Sequence, residues 1–454
     1  MTPPARVAHC VGFYFPDQVG GTEVYVQDLL SELAKLSVDG HVVAATNERF
    51  REYEWEGIRV ARYPSNWADV REYAPSRPHA GLSKFQELVL ENRPDIFHLH
   101  SWTSGAGLEH LSQIARLGIP CVVTMHVPSA LCMRGTMLLH GRKACDGLIE
   151  EKRCAQCWSE QRGLPSSIAF AMSRLPRMSF AGGSTSKVLS RAVTLLSARS
   201  RALVQAHELR QMADLSEVIV APSGWVHDGL LANGIAADKL TVSRQGVTLA
   251  LVREAARTPP RPKSAELKVG FIGRLEHYKG AHILIEAMNR LPPQVPARLL
   301  IAGSGTEPHY LKQLTAAWDG DKRIEFLGPI TRGEVPDFLR RLDVLAVPSN
   351  YMETGPLVVL EAQVFGIPVM GADLGGISER IRDGVDGWLL PFDDSGAWAA
   401  AIQEIALDRG KLEQRAAGVG RTRTMADVAG DMAELYRSIL QRRPEVQNEA
   451  LQRQ

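Results

Sequence analysis

The chain has 454 residues, with 52 Lys and Arg against 51 Asp and Glu and a net charge of +1, so no global field recruits nucleic acid and none is expected as a partner. Its 45% hydrophobic and 23% charged residues exclude a disordered or fibrous chain, and the length suits two or three domains. No apolar run reaches the roughly 18–20 residues of a membrane span. No signal-peptide layout precedes the first apolar run, and six cysteines are too few for a disulfide scaffold, so cytoplasmic residence is the expectation.

In chain order, "RVAHCVGFYF", "HVVAAT", "GIRVARY", "IFHLH", "CVVTMH", "VIVAPS" and "LTVSRQ" read as strands. Between the first two, Val26, Leu29, Leu30 and Leu33 fall at i, i+3, i+4 and i+7, the apolar face of a helix. The Pro-rich, basic stretch "ARTPPRPKSAELK" (256–268) interrupts the pattern as a linker would. The alternation then restarts with "LKVGFIGRL", "RLLIAGSG", "IEFLGPI", "VLAVPS" and "PVMGAD", each followed by a helical segment. Continuous apolar strands with intervening helices indicate parallel sheets covered on both faces. The fold class is therefore α/β, with two doubly wound Rossmann-like domains facing across a cleft. They are expected at 1–255 and 268–424, with a linker at 256–267. Residues 425–454 are expected to form a helix crossing back to the first domain, with a tail that frays from about 443.

Within the first domain, Cys132, Cys145, Cys154 and Cys157 follow a C-x12-C-x8-C-x2-C spacing. Four thiols in a short segment of a cytosolic chain favour metal ligation, most simply tetrahedral zinc in a structural role, since four thiolates leave no open position. An iron–sulfur cluster and plain reduced thiols are the alternatives. Cys10 and Cys121 lie in strands and read as core thiols. Residues 161–207 then carry seven Arg and Lys and no Asp or Glu, interleaved with Phe170, Met172, Leu175, Met178, Phe180, Leu189, Leu195 and Leu196. A basic amphipathic segment can lie on an anionic leaflet, which would make this a peripheral membrane contact at the inner face. A helix packed by its apolar face with solvated charges is the alternative.

In the second half, "VGFIGRLEHYKG" (269–280) places Arg274 directly after a strand and Lys279 just before a helix. Ligands of open parallel sheets bind beyond the carboxyl ends of strands, and there the two cations suit a diphosphate. In "VPSNYMETGPLVVLEAQ", Pro356 opens a helix whose first amides can hold an anion. Glu353 lies in the loop ahead of it and Glu361 inside it, where a carboxylate can accept from a ribose diol.

With "GGTEVYV" (20–26), "TMH" (124–126), "GRLEHYKG" (273–280), "ETGPLVVLE" (353–361) and "DLGGISE" (373–379), the chain resembles the retaining family-4, group 1 glycosyltransferases of the GT-B fold over nearly its whole length. The resemblance implies a hexosyltransferase-type enzyme using a nucleotide-sugar donor, UDP- or GDP-linked, on a saccharide or lipid-linked acceptor. Arg274 and Lys279 would hold the donor diphosphate, Glu361 the nucleotide ribose, and Glu353 would lie against the transferred sugar. Gly20 and Gly21, lacking Cβ atoms, would let a loop approach the phosphates, and His126 would touch the sugar near the reacting carbon. One departure is Gly355-Pro356 where members often carry Phe-Gly. Proline has no N–H, so the anion-binding amides would be those of Leu357 and Val358. With no Asp-x-Asp pair to bridge a metal and the diphosphate, no catalytic divalent metal is expected. Two alternatives stay open: His126 acting as a base with inversion, and a non-catalytic sugar-nucleotide-binding subunit.

Overall fold

In the computed structural model, residues 5–17, 20–65, 81–176, 193–257, 264–318 and 320–452 are described, with the side chains of 443–452 left out. The middle of the basic segment (177–192, including Met178, Phe180 and Leu189) and most of the expected linker (258–263) lie outside these residues. The chain forms two compact units, one of Met1–Arg244 with Met425–Gln454 and one of Gln245–Thr424. Helix Leu249–Ala256, which the sequence assigns to the first domain, packs instead with helices Val335–Arg340 and Leu357–Val364 of the second unit. Just before it, Val247 donates its N–H to the Arg423 carbonyl at 2.9 Å, which fixes this stretch to the second unit's own end.

The sheet of the first unit contains β1 (Ala5–Val11), β2 (Val38–Thr46), β3 (Arg51–Trp55), β4 (Ile58–Pro64), β5 (Ile96–Leu99), β6 (Cys121–Thr124), β9 (Val218–Ala221) and β10 (Leu240–Val242). Their order is β10-β9-β6-β5-β1-β2-β4-β3, and every pairing is parallel except that of β3 with β4. Strands β5, β6 and β9 are buried along their whole length, as their unbroken apolar or histidine-bearing runs require when helices cover both faces. Strand β3, "REYEW", escapes a reading by hydrophobic pattern because its side chains are half-buried or exposed throughout. It exists because Glu56 and Gly57 both take positive φ (48° and 80°) in a two-residue hairpin that returns the chain antiparallel onto β4.

The C-terminal helix Met425–Gln452 belongs to this unit. Met425, Val428, Ala429, Met432, Ala433, Tyr436 and Ile439, spaced at three and four, enter its core beside Val26, Leu29, Leu30 and Leu33. Asp431 anchors the same helix by accepting from the Ser243 hydroxyl at 2.9 Å. The stretch expected to fray from about 443 instead continues this helix to Gln452. Separate from the main sheet, β7 (Leu138–Leu139) and β8 (Lys143–Ala144) form a short antiparallel pair in the cysteine segment.

The second unit is built on β11 (Leu267–Ile272), β12 (Ala297–Ala302), β13 (Ile324–Gly328), β14 (Val344–Val347), β15 (Val369–Ala372) and β16 (Gly387–Leu390). The order β13-β12-β11-β14-β15-β16 is parallel throughout. In both units the strand order reverses beside the first strand, between β1 and β5 and between β11 and β14. Such a reversal leaves room beyond the strands' carboxyl ends, because the flanking connections depart to opposite sides.

Gly280 closes the turn after β11 at φ 77°, and a Cβ there would stand 2.0 Å from the Pro348 carbonyl oxygen beyond β14. No side chain fits, so this glycine sets the approach of the two loops. Gly280→Ala is expected to lower the stability of the protein by at least about 2 kcal/mol, from left-handed strain plus the clash. Urea denaturation checks this: an unchanged midpoint would show that the turn is not so constrained.

Candidate functional site

The loop after β11 and the loop after β14 meet through Lys279. Its ammonium lies 2.7 Å from Glu353 Oε1 and donates to the Tyr351 hydroxyl at 3.1 Å. The Ser349 hydroxyl donates to the same carboxylate oxygen at 2.7 Å. Burial alone would raise the Glu353 pKa, but the charge of Lys279 and the hydrogen bonds from Lys279, Ser349 and Tyr351 outweigh it and hold the carboxyl below its ordinary value. Tyr351 moves the other way, well above its ordinary value, through burial and the adjacent Glu353 charge. The pair is therefore a true ion pair, kept charged in a place that penalises charge.

Arg274 stands at the rim. Its guanidinium is 59% exposed and reaches Glu276 at 3.7 Å. Both cations border one ring: Arg274 Cζ lies 5.4 Å and Lys279 Nζ 6.0 Å from the centroid of Tyr278, which packs edge-on against Tyr351. The structure thus brings Arg274, Lys279 and Glu353 together. It adds Tyr278, Ser349 and Tyr351, which sequence reasoning missed although "SNYMETG" carries two of them within four residues of Glu353.

Helix Leu357–Val364 follows, with Pro356 at its N-cap rather than inside its first turn and without a side-chain cap. The amides of Leu357 and Val358 are first-turn donors with no intrahelical partner. Glu361 is half-buried further along this helix. The loop bearing Glu353 is fixed from behind, because the Gly376 N–H donates to the Glu353 carbonyl at 2.7 Å and a Cβ on Gly376 would stand 2.6 Å from that oxygen.

In the first unit, the helix Gly21–Leu33 is the element that follows β1, after residues 12–20. The Gly20 N–H donates to Glu23 Oε2 at 2.6 Å, so that amide already has an acceptor. A Cβ on Gly21 would meet nothing within 4 Å. The fold itself therefore gives no steric reason for glycine at 21.

Beside this helix, at the ends of β1, β5 and β6, lies a buried histidine cluster. His98 on β5 and His100 one residue beyond its end are two apart and so fall on one side of the extended chain, and His9 on β1 pairs with His98 in register. Among the described residues, His9, His98 and His100 are the group whose possible ligand atoms all lie within 4.8 Å of one another. They do not fit a metal. His98 commits both ring nitrogens to hydroxyls, of Tyr436 at 2.6 Å and Thr124 at 2.7 Å. The His9 Nδ1 meets His100 Nε2 at 3.0 Å, and His100 Nδ1 meets His126 Nε2 at 3.1 Å. These are hydrogen bonds between neutral rings, since burial pushes both His9 and His126 down to about 3. His126 also packs edge-on against Tyr25, with centroids 4.7 Å apart.

The four cysteines of the insert fall in one neighbourhood, where charge on one thiol opposes ionisation of the next, and all are free thiols. Their sulphurs are spaced more widely than the histidine ligand atoms. In the described parts of the basic segment, the cations are engaged locally: Arg162 stacks on Trp158 at 3.4 Å, Arg174 on Phe170 at 3.3 Å, and Arg199 pairs with Glu151 at 2.8 Å. No described helix is long and apolar enough to cross a membrane.

Residues 20–246 match the glycosyl transferase 4-like domain, and residues 252–423 match the glycosyl transferases group 1 family. A D-inositol 3-phosphate glycosyltransferase of Stackebrandtia nassauensis is 32% identical over 455 aligned positions, covering 93% of this chain and 88% of that protein. A protein of the same name from Corynebacterium urealyticum is 34% identical, but the match covers 39% of this chain and 44% of that one. Among solved structures, Anabaena HepE in complex with UDP and glucose aligns over 95% of this chain and 99% of its own, with a TM-score of 0.63 at 17% identity. Sucrose-phosphate synthase from Thermosynechococcus elongatus aligns with a TM-score of 0.63 at 18% identity, over 96% and 99% of the two chains. At these identities the structural likeness establishes the architecture alone.

The histidine cluster makes a pH prediction. In the unfolded chain these imidazoles return to about 6.5, whereas burial holds His9 and His126 near 3 and His98 and His100 well below 6.5 when folded. The unfolded state therefore binds more protons below pH 6.5, so their contribution to stability is full above that value and is lost on acidification. Each such histidine costs about 1.4 kcal/mol per pH unit well below its unfolded pKa. Calorimetric melting is expected to fall steadily from pH 7 to pH 5, with a shallower slope in His9→Gln. A melting temperature that stays level across that range would refute the neutral cluster.

Proposed function

The chain belongs to the group 1 glycosyltransferases, and from that premise we propose that it moves a sugar from a UDP- or GDP-linked donor to a saccharide or glycolipid acceptor with retention of configuration. The observation that carries the reading is the Lys279–Glu353–Tyr351–Ser349 cluster with Arg274 beside it, beyond the strand ends where the second sheet reverses. An ammonium has three donors. Glu353 and Tyr351 take two and orient the third. That third N–H, the exposed fork of Arg274 and the amides of Leu357 and Val358 supply the positive field a departing nucleoside diphosphate needs. In this reading they take the place of a divalent metal at the reaction centre.

The remaining roles follow the family assignment. Glu361 accepts from the ribose diol, and Glu353 lies against the transferred sugar while holding Lys279. Gly20 and Gly21 admit the phosphates. The bond from the anomeric carbon to the phosphate oxygen breaks, a bond to the acceptor oxygen forms on the same face, and the departing phosphate oxygen takes the acceptor's proton. His126 contributes a neutral hydrogen-bonding ring. Its Nε2 meets His100 Nδ1 at 3.1 Å and burial lowers its pKa, so in this reading it is not assigned the role of base.

The inositol phosphate named for the Stackebrandtia relative is the first soluble acceptor to assay. A lipid-linked acceptor at the inner leaflet is the second. It draws support from Ile168, Phe170 and Leu175, which are exposed beside Arg174.

Lys279→Ala, with folding verified by circular dichroism, is expected to lower turnover at least about a hundredfold, on the scale of losing one preorganised donor. Near wild-type turnover removes Lys279 from the mechanism. Donor turnover by the isolated chain distinguishes an enzyme from a non-catalytic subunit, and NMR of the product's anomeric centre tests retention. In flotation with vesicles, binding is expected to require anionic lipid and to weaken in Phe170→Asp. Equal recovery with neutral vesicles would rule out the leaflet reading.

A further inference from the structure

We propose that Cys132, Cys145, Cys154 and Cys157 bind one structural zinc ion, which ties down the segment leaving His126. The site goes beyond the glycosyl-transfer reading and does not depend on it. The four residues arrive on three small pieces. Cys132 follows a 3-10 turn, Pro128–Ala130, just after His126. Cys145 directly follows β8, whose hairpin is turned by His140 (φ 54°) and Gly141 (φ 72°). Cys154 and Cys157 lie in helix Glu151–Gln161, three apart and hence on one face.

Two features are those of a thiolate site. The first is donors aimed at sulphur: the His140 N–H reaches Cys157 Sγ at 3.1 Å, and the Gly147 backbone donates to Cys145. Such amides stabilise metal-bound thiolates from outside the ligand shell. The second is compensating charge. A zinc ion with four thiolates carries −2, and the charge of Arg153 acts on Cys145 and Cys154 while that of Arg134 acts on Cys157. Arg153 is held by Asp146 at 2.6 Å, and Arg134 donates to the Cys157 carbonyl at 2.7 Å, so neither guanidinium is free to leave.

The segment's helix packs against helix Ala198–Leu215. Its own apolar cluster consists of Ala155, Trp158 and Ala198, with Met133 against them. Polar ties fix its two ends. Gln205 donates to the Ser129 and Ala130 carbonyls, and Asn233 bridges the Gly147 carbonyl and the Ile149 N–H. Between those ends the hairpin and the loop after it lead into the helix start, a junction of the kind that metal ligation ties together in small domains. Four soft sulphurs select zinc over magnesium, calcium or manganese. Closing the shell draws the sulphurs to about 3.8 Å from one another, given Zn–S bonds of about 2.3 Å. Cys132 and Cys145, both on non-helical chain, are the ligands placed to move onto the helix face.

The test uses the full-length chain purified without chelator. Elemental analysis is expected to find about one zinc per chain. Titration with an organomercurial, read by a metallochromic dye, is expected to release that zinc as four thiols react. Cys154→Ser with Cys157→Ser is expected to lose the metal, and Cys121→Ala, outside the segment, to retain it. Should the double variant fail to fold, cobalt substitution of the wild-type chain replaces it, with tetrahedral thiolate absorption as the expected spectrum. Less than about half an equivalent of zinc, zinc release without thiol modification, or iron in its place would overturn the proposal.

Discussion

The ion pair between Lys279 and Glu353 organises the loops beyond β11 and β14 in the second unit. Its two residues stand 74 positions apart in sequence and 2.7 Å apart in space, joined where the strand order reverses. A largely buried pair of this kind, with Lys279 half-buried, contributes little net stability, because desolvating the charges offsets most of their attraction. What it does is fix position. Ser349 and Tyr351 hold the carboxylate, the carboxylate holds the ammonium, and the tight Gly280 turn sets how closely the two loops approach. An ammonium anchored this way presents charge with no reorganisation, which is the condition for electrostatic stabilisation of a leaving group.

The first unit meets a similar constraint with neutral groups. Four buried imidazoles lie on and just beyond its central strands, where charge would be costly; they bond one another and the hydroxyls of Thr124 and Tyr436, and among the described residues His9 Nε2 is left without a hydrogen-bond partner. Tyr436 comes from the C-terminal helix, 338 residues from His98. That helix therefore completes the polar network beneath His126 as well as the apolar core around Val26 and Leu29. His9 is tied to His126 through His100, so a change at His9 acts on His126 without touching a substrate.

The cysteine segment departs from this economy. The strands around it are secured by continuous apolar burial, whereas the segment is secured by its helix packing on helix Ala198–Leu215, polar ties at its ends, a small cluster around Trp158 and an arginine stacked on its ring. The basic charges that looked like a surface for lipid are partly absorbed in that packing. This is a physical reason to weigh exposed Ile168, Phe170 and Leu175 above the charges themselves when considering an interface.

The sequence by itself determined the alternation of strands and helices, the two-unit plan and the positions of Arg274, Lys279 and Glu353 at strand ends. Those features rest on local periodicity and on cations or carboxylates next to glycine turns, which neighbouring residues suffice to specify. It did not reveal β3, because a half-exposed edge strand has no apolar alternation and depends on a left-handed two-residue turn. Nor did it show that helix Leu249–Ala256 belongs with the second unit, since that choice lies in packing against helices far along the chain. Only the tertiary structure decided that Lys279 is paired, that Tyr351 and Ser349 orient the pair, and that His126 sits at the end of a neutral histidine chain. Hydrogen bonds and burial between residues distant in sequence set those properties, and no local pattern encodes a distance across a sheet.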